Sequence, residues 1–363
     1  MKQTTLQEKE EKIRQKADKQ IARLRQREEK ISVKQAKRTD KKVVPIFYAS
    51  DDTYLPYLAV SLSSLKKNAN KAFRYEIYVL HTGVQEENER RVKTYQDENF
   101  VIRFVDVSER LEEVKRSLQL RDYYTGATYY RIFIAEMFPQ YDKALYLDGD
   151  TVILGDIAKL YNVPLNDNLV GAVTDGVVSS TAVFQAYTRE VLGIESNRYF
   201  NAGVLVMNLK KFREENFYEK FRNLLLEYKF SVAQDQDYLN VLCKDRVRYL
   251  SSTWNTMPIG GEKRKLPALI HYNLTAKPWR YASIPYAKYF WTEAEHNEFA
   301  AELRAQFGSY SDERREQDAR TEQSLIALAI AETKREDNFI RARRAKQNEA
   351  DRYALTTKSP IGV

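Results

Sequence analysis

The sequence predicts an α/β fold around a largely parallel sheet, and three observations lead there. Short apolar runs alternate along the chain with segments of helical spacing, the pattern of βαβ units. Apolar residues make up 43% of the 363 residues, with 25 Tyr and 16 Phe, enough for a sizeable core. Glycine is scarce, at 12 residues, which argues against an all-β fold with many tight turns.

The elements follow in order. The run Val43-Val44-Pro45-Ile46-Phe47-Tyr48-Ala49 reads as a buried strand entering the polar loop Ser50-Asp51-Asp52. Residues 54–67 have helical spacing, residues 75–80 alternate as a strand, residues 86–98 are charged and helical, and 101–107 form a third strand. Residues 129–139 are helical and apolar, with Arg131 inside. In 143–153 an apolar strand has Asp148-Gly149-Asp150 at its carboxyl end. Further strands fall at 169–173 and 204–208, with a helix at 217–228. Beyond about residue 292 the chain turns helical and charged and ends in a basic tail, where Leu325, Ile326, Leu328, Ala329 and Ile330 offer an apolar face to the body.

Three segments result: an extension (1–42), a body (43–291) and a C-terminal helical region (292–363). The extension has no Pro or Gly, and its 15 Lys and Arg against 7 Asp and Glu account for the formal charge of +8. The body is therefore nearly neutral. A thin apolar stripe runs from Ile13 through Ala17, Ile21, Leu24 and Ile31, as in a solvated helix, a short coiled coil or a membrane-surface helix. Cys243 is the single cysteine, in an apolar stretch, so it reads as a small core residue and no internal disulfide can form. No apolar leader and no run near the roughly 20 residues of a spanning helix occur, so a cytoplasmic protein is expected, with the extension available to an anionic membrane face or a partner protein.

The chemistry centres on Asp148 and Asp150. On an extended strand, residues i and i+2 share a side, and ligands of open α/β sheets bind at the carboxyl ends of strands. Two hard oxygen donors suit Mn²⁺ or Mg²⁺ on a diphosphate, and Gly149 would let a ligand approach the backbone. Taken alone, Asp-Xaa-Asp is common and reads first as a strand-end turn with two solvated acids. The context adds Asn201-Ala202-Gly203-Val204 opening an apolar strand, and Asp235-Gln236-Asp237 opening a helical segment. It also adds His271, preceded by Ala268-Leu269-Ile270 and followed six residues later by Lys277, as a candidate third metal ligand and a phosphate contact.

Together these segments resemble the retaining glycosyltransferases of family eight, which include bacterial galactosyl- and glucosyltransferases and, more distantly, glycogenin. The motifs are Phe47 to Tyr54, Tyr130-Arg131, Leu145 to Asp150, Phe200 to Val204, Asp235-Gln236-Asp237 and His271 to Trp279, over roughly residues 43–285. The resemblance implies a GT-A type fold, a single Rossmann-like mixed sheet flanked by helices with helical extensions at both ends. It implies that Ala49, Ser50 and Asp51 contact the uridine, with Tyr54 near the base. Asp148, Asp150 and His271 would hold Mn²⁺, and Lys277 would bind the diphosphate as a point charge. Arg131, Asp175, Asn201, Ala202 and Asp235 would line the sugar site, and Gln236 would lie by the anomeric carbon. The family often has glycine between the histidine and the lysine. Here Asn273-Leu274-Thr275 occupies that stretch, which weakens the expected backbone contact to phosphate.

The implied reaction moves a hexose from a UDP-sugar to a glycan, glycolipid or glycoprotein acceptor. A retaining hydrolase would place a carboxylate nucleophile on the sugar. An amide at Gln236 is a poor nucleophile, which favours same-face attack within an ion pair. A dinucleotide oxidoreductase is disfavoured, because the turn after the first strand, Ala49 to Thr53, lacks glycine. A nucleic-acid-binding or scaffold role would have to reside in the basic extension, and no nucleic acid is expected as a partner of the body. Self-association through the extension stays open.

Overall fold

The computed structural model describes residues 41–117, 127–259 and 266–356. The chain divides into Met1–Lys42 and Val43–Val363. The readings made for residues 1–40 and for the last residues of the tail, from 357, lie outside the described residues.

The main sheet has seven strands: β1 (Lys42–Ala49), β2 (Phe73–His81), β3 (Phe100–Asp106), β4 (Ala144–Leu147), β6 (Val170–Thr174), β7 (Phe200–Met207) and β8 (Val247–Tyr249). Their spatial order is β3-β2-β1-β4-β7-β6-β8. The β1–β4, β2–β3 and β6–β8 pairs are parallel, whereas β7 runs antiparallel to both β4 and β6. The sheet is therefore mixed. Alternation along the strands explains why it is covered on both sides. Val44, Ile46, Tyr48, Leu145 and Leu147 enter one buried cluster with the helix Leu55–Asn68. Phe47, Ala144 and Tyr146 enter the other with the helices Tyr130–Met137 and Phe217–Glu227. Each fully buried Val, Leu, Ile or Phe among them contributes about 1.5–3 kcal/mol relative to exposure. Cys243 is fully buried in the second of these clusters, and burial pushes its thiol up.

A second, two-stranded sheet pairs β5 (Thr151–Ile153) antiparallel with β9 (Leu269–His271), Thr151 facing His271. The apolar strand read ahead of the two carboxylates is β4, which ends at Leu147. The chain leaves the main sheet after Leu147, turns through Asp148-Gly149-Asp150, and joins a different partner. The two carboxylates thus sit on a turn, and the shared-side argument for an extended strand does not apply to them. The predicted helix over 86–98 also stops early, at Lys93. Asp97 forms a local turn instead: its carboxylate accepts from Asn99 N (2.8 Å) and pairs with Lys66 (2.9 Å).

The C-terminal region is helical, with helices Ala287–Ala294, Ala300–Gly308, Asp312–Lys334 and Phe339–Thr356. In Asp312–Lys334 the positions 318, 322, 325, 329 and 332 repeat at the heptad spacing of one face. Asp318 accepts from Arg280 and Tyr281, Glu322 bonds Thr275, Leu325 and Ala329 pack on the core, and Glu332 accepts from Tyr228. Only part of the expected apolar face docks, because Ile326, Leu328 and Ile330 remain 37–43% exposed. Among the described residues, no helix is long and apolar enough to cross a membrane.

Candidate active site

Three chain segments meet at the carboxyl end of β4. Asp148 N donates to Gly203 O (2.7 Å) on β7, and Tyr272 N donates to Asp150 O (3.0 Å) just after β9. These backbone bonds place the Asp148 and Asp150 carboxylates against the His271 ring, with His271 Nε2 at 3.5 Å from Asp148 Oδ2 and 3.2 Å from Asp150 Oδ1. One ligand atom from each of the three residues lies within 4.8 Å of the others.

The residues fit a divalent cation. Asp150 Oδ1 is buried and accepts no hydrogen bond, an arrangement that costs free energy unless something positive fills the gap. Asp150 Oδ2 is held by the Lys277 ammonium, which also donates to Tyr272 O. Burial alone would raise the Asp150 carboxyl, but the neighbouring charge of Lys277 foremost holds it below the usual carboxylate range. The donor set, two carboxylates and an imidazole, suits Mn²⁺ better than Ca²⁺.

A cavity of about 310 Å³ opens beside this cluster. Of the residues singled out from the sequence, it brings together Arg131, Asp148, Asp150, Asp175, Asn201, Ala202, Asp235, Gln236 and His271. Arg131 is 2% exposed and braces the site. Its Nε donates to Thr128 O and lies 3.1 Å from Asp235 Oδ2, its Nη1 donates to Ala202 O, its Nη2 reaches Asp148 Oδ1 (3.2 Å), and its plane rests over Tyr146. Burial pushes the Asp235 carboxyl up to about 6, with Arg131 opposing and Asp148 adding to the rise. Asp175 caps the short helix Gly176–Ser180 through Oδ1, while its Oδ2 accepts from Asn201 Nδ2 (3.0 Å) and Gln236 Nε2 (3.2 Å). Gln236 Oε1 accepts from Ala202 N (2.9 Å).

Six predicted residues do not line this cavity. Ala49, Ser50 and Asp51 sit at the carboxyl end of β1, where Ser50 N donates to Leu80 O and Asp51 Oδ1 accepts from Tyr54 N. Tyr54 lies against Lys277 and beside Gly149. Lys277 itself is 4% exposed, behind Asp150. A β-carbon at Gly149 would meet Leu58 and Tyr54 at 3.4–3.7 Å, which is ordinary contact. The tight position is Gly203, where a β-carbon would stand 2.3 Å from His271 Cε1 and 2.5 Å from Asp148 Oδ2. Gly203 lay inside a quoted motif but received no role. Asn255 was missed outright. It is 3% exposed, and its Oδ1 meets His271 Nδ1 at 3.1 Å. No sequence signal marks it, since it lies 16 residues from its partner in an ordinary polar stretch.

The chain is similar to proteins of known family and fold. A glycosyltransferase of Haemophilus influenzae is 31% identical over 215 residues, covering 59% of this chain and 63% of that one, so the chain spans less than two-thirds of that relative's length. The lipopolysaccharide 1,2-glucosyltransferase of Escherichia coli is 28% identical over 277 residues, covering 68% and 75%. Among solved structures, the galactosyltransferase LgtC in complex with donor and acceptor sugar analogues superposes with a TM-score of 0.61 at 30% identity, over 72% of this chain and all of that one. The GT-A arrangement is thereby shared. The model of glycosyl transferase family 8 matches residues 45–283, and the chain belongs to that family.

Proposed function

We propose that the chain transfers a hexose, glucose or galactose, from its UDP-sugar to a glycan, glycolipid or glycoprotein acceptor at the cell surface, with retention at the anomeric carbon. The observation that carries this reading is the convergence of Asp148, Asp150 and His271, with an unsatisfied buried oxygen, on the cavity that also holds Gln236. Relatives that act as a lipopolysaccharide glucosyltransferase and a galactosyltransferase support a hexose donor.

A divalent cation, Mn²⁺ or Mg²⁺, held by Asp148, Asp150 and His271 would stabilise the negative charge on the departing diphosphate. The chain's own groups do the rest. Lys277 is kept charged, because burial, which would lower its pKa, is outweighed by Asp150 and Tyr54 acting together, and it adds a second positive charge on the leaving-group side. Arg131 holds Asp148 and Asp235 in place. Asp175 orients the amides of Asn201 and Gln236 toward the sugar. Its two oxygens already take four hydrogen bonds, and Asp235 is tied to Arg131, so neither is set up as a free nucleophile. This supports same-face attack by the acceptor hydroxyl within an ion pair, beside the Gln236 amide, rather than a covalent sugar–enzyme intermediate. The uridine would lie along Ala49, Ser50, Asp51 and Tyr54, at the adjoining end of β1. The basic residues 1–42 would bring a cytoplasmic enzyme to the inner membrane face or to a partner transferase.

The test is UDP release from a panel of nucleotide sugars, with and without Mn²⁺. Turnover of UDP-glucose or UDP-galactose that vanishes with chelator supports the reading. No response to any UDP-sugar, or a sugar trapped covalently on a side chain, would overturn it.

A further inference from the structure

We propose that Asn255 is a positioning residue that sets the tautomer of His271 and ties the metal-binding cluster to the amides of the sugar site. The inference rests on the metal reading of Asp148, Asp150 and His271 and extends it.

Two groups with a fixed hydrogen-bonding sense orient the network. The backbone N–H of Gly203 can only donate, and it points at Asn201 Oδ1 (3.0 Å). The carboxylate of Asp175 accepts, and it faces Asn201 Nδ2 (3.0 Å). The Asn201 amide is therefore fixed from both ends. Its Oδ1 also receives a bond from Asn255 Nδ2 (2.9 Å). That commits the nitrogen of Asn255, and its Oδ1 must be the atom facing His271 Nδ1 at 3.1 Å. An oxygen acceptor there obliges Nδ1 to carry the proton. The lone pair of the neutral ring is then on Nε2, the atom aimed at Asp148 and Asp150.

The position is rigid as well as buried. Asn255 ends the short turn Ser252–Asn255, which Ser251 caps. The next residue joins β9: Thr256 N donates to Leu269 O (2.9 Å) and His271 N donates to Thr256 O (2.9 Å). The backbone that carries Asn255 is thus stitched to the backbone that carries His271. The polar chain continues from His271 through Asn255 and Asn201 to Asp175 and Gln236. A change in the ring's orientation is felt at the residue beside the anomeric carbon, and the reverse holds too.

Two variants separate the halves of this role. Asn255→Ala removes the acceptor for Nδ1–H. Asn255→Asp keeps an acceptor for the ring but sets a carboxylate oxygen against Asn201 Oδ1, which breaks the link to the sugar side only. His271 is one of three histidines, so ring ¹⁵N spectra of the full chain with excess Mg²⁺ and UDP resolve its tautomer directly. We expect a protonated Nδ1 in the wild type. Electron paramagnetic resonance titration with Mn²⁺ should show affinity falling about 10–100-fold in Asn255→Ala, the usual effect of losing such a support. Asn255→Asp should keep the metal affinity while the KM for the UDP-sugar rises. A wild-type ring protonated on Nε2 alone, or unchanged Mn²⁺ affinity in Asn255→Ala, overturns the proposal. Should Asn255→Ala fail to fold, the wild-type tautomer and the Asp variant still decide it. Absence of Mn²⁺ binding by the wild type would instead overturn the metal reading on which the proposal stands, and the wild-type titration shows that separately.

Discussion

Replacing Gly203 with Ala is the sharpest perturbation of the site. The added methyl would fall 2.3 Å from His271 Cε1, 2.5 Å from Asp148 Oδ2 and 3.0 Å from His271 Nδ1. Restoring normal contact needs movements of about 1 Å, and the two neighbours differ in their freedom to move. The Asp148 side chain is 29% exposed and can swing outward, whereas the His271 side chain is 3% exposed and is held by Asn255 and by the β5–β9 pairing. Either response separates the ligand atoms. Overpacking of this kind costs about 1–3 kcal/mol. For a domain of this size each kcal/mol lowers Tm by roughly 2–4 °C, so the fold should survive. Activity should not, because a displacement of about 1 Å at reacting groups costs on the order of 100-fold in rate. The assay is UDP release at saturating donor together with Mn²⁺ titration, with Gly149→Ala as the control, since a methyl there makes ordinary contacts. Wild-type kcat and wild-type metal affinity in Gly203→Ala would refute the reasoning. So would an equal loss in Gly149→Ala.

Asp150→Asn should abolish metal binding and also leave the buried Lys277 ammonium without its counter-ion, a loss of about 3–5 kcal/mol readable in a denaturant titration; unchanged stability would mean that Lys277 re-pairs. Asp237 is fully buried and accepts from Tyr187 (2.8 Å), Tyr199 (2.7 Å) and Ala233 N (2.9 Å), yet burial pushes its carboxyl up from 3.8 to about 6. Its folded pKa exceeds the unfolded one, so between about pH 4 and 6 the folded state binds the extra proton and stability rises as pH falls through that window. Asp237→Asn should flatten that slope by up to about 3 kcal/mol between pH 7 and 4, measured by Tm against pH; an unaltered profile would remove Asp237 as its source. Leu325 reaches the cavity from the helix Asp312–Lys334, beyond the family-matched segment. Leu325→Ala should change the ratio of transfer to donor hydrolysis while leaving Mn²⁺ affinity unaltered, and a shift in metal affinity would show that the helix acts on the cluster instead.

The alternation of short apolar runs with helical patterns was enough to indicate the α/β class, because strand and helix periodicities are local properties of the chain. The same holds for β1, for the helix after it and for the helix over residues 217–228, whose ends fell within a residue or so of the reading. The motifs around Asp148, Asn201, Asp235 and His271 were legible because rare chemistry-bearing residues recur in order. What the linear sequence could not hold was the manner of their meeting. Asp148 and Asp150 converge through a turn between two sheets, not through strand alternation. His271 joins them because β9 pairs with β5 rather than with the main sheet. Gly203 matters for a methyl-sized gap between two distant side chains, and Asn255 for an amide orientation inherited from Gly203 N and Asp175. Sequence period encodes which face a residue occupies. Contacts between segments more than a hundred residues apart depend on register and packing between elements, and only the tertiary structure decides those.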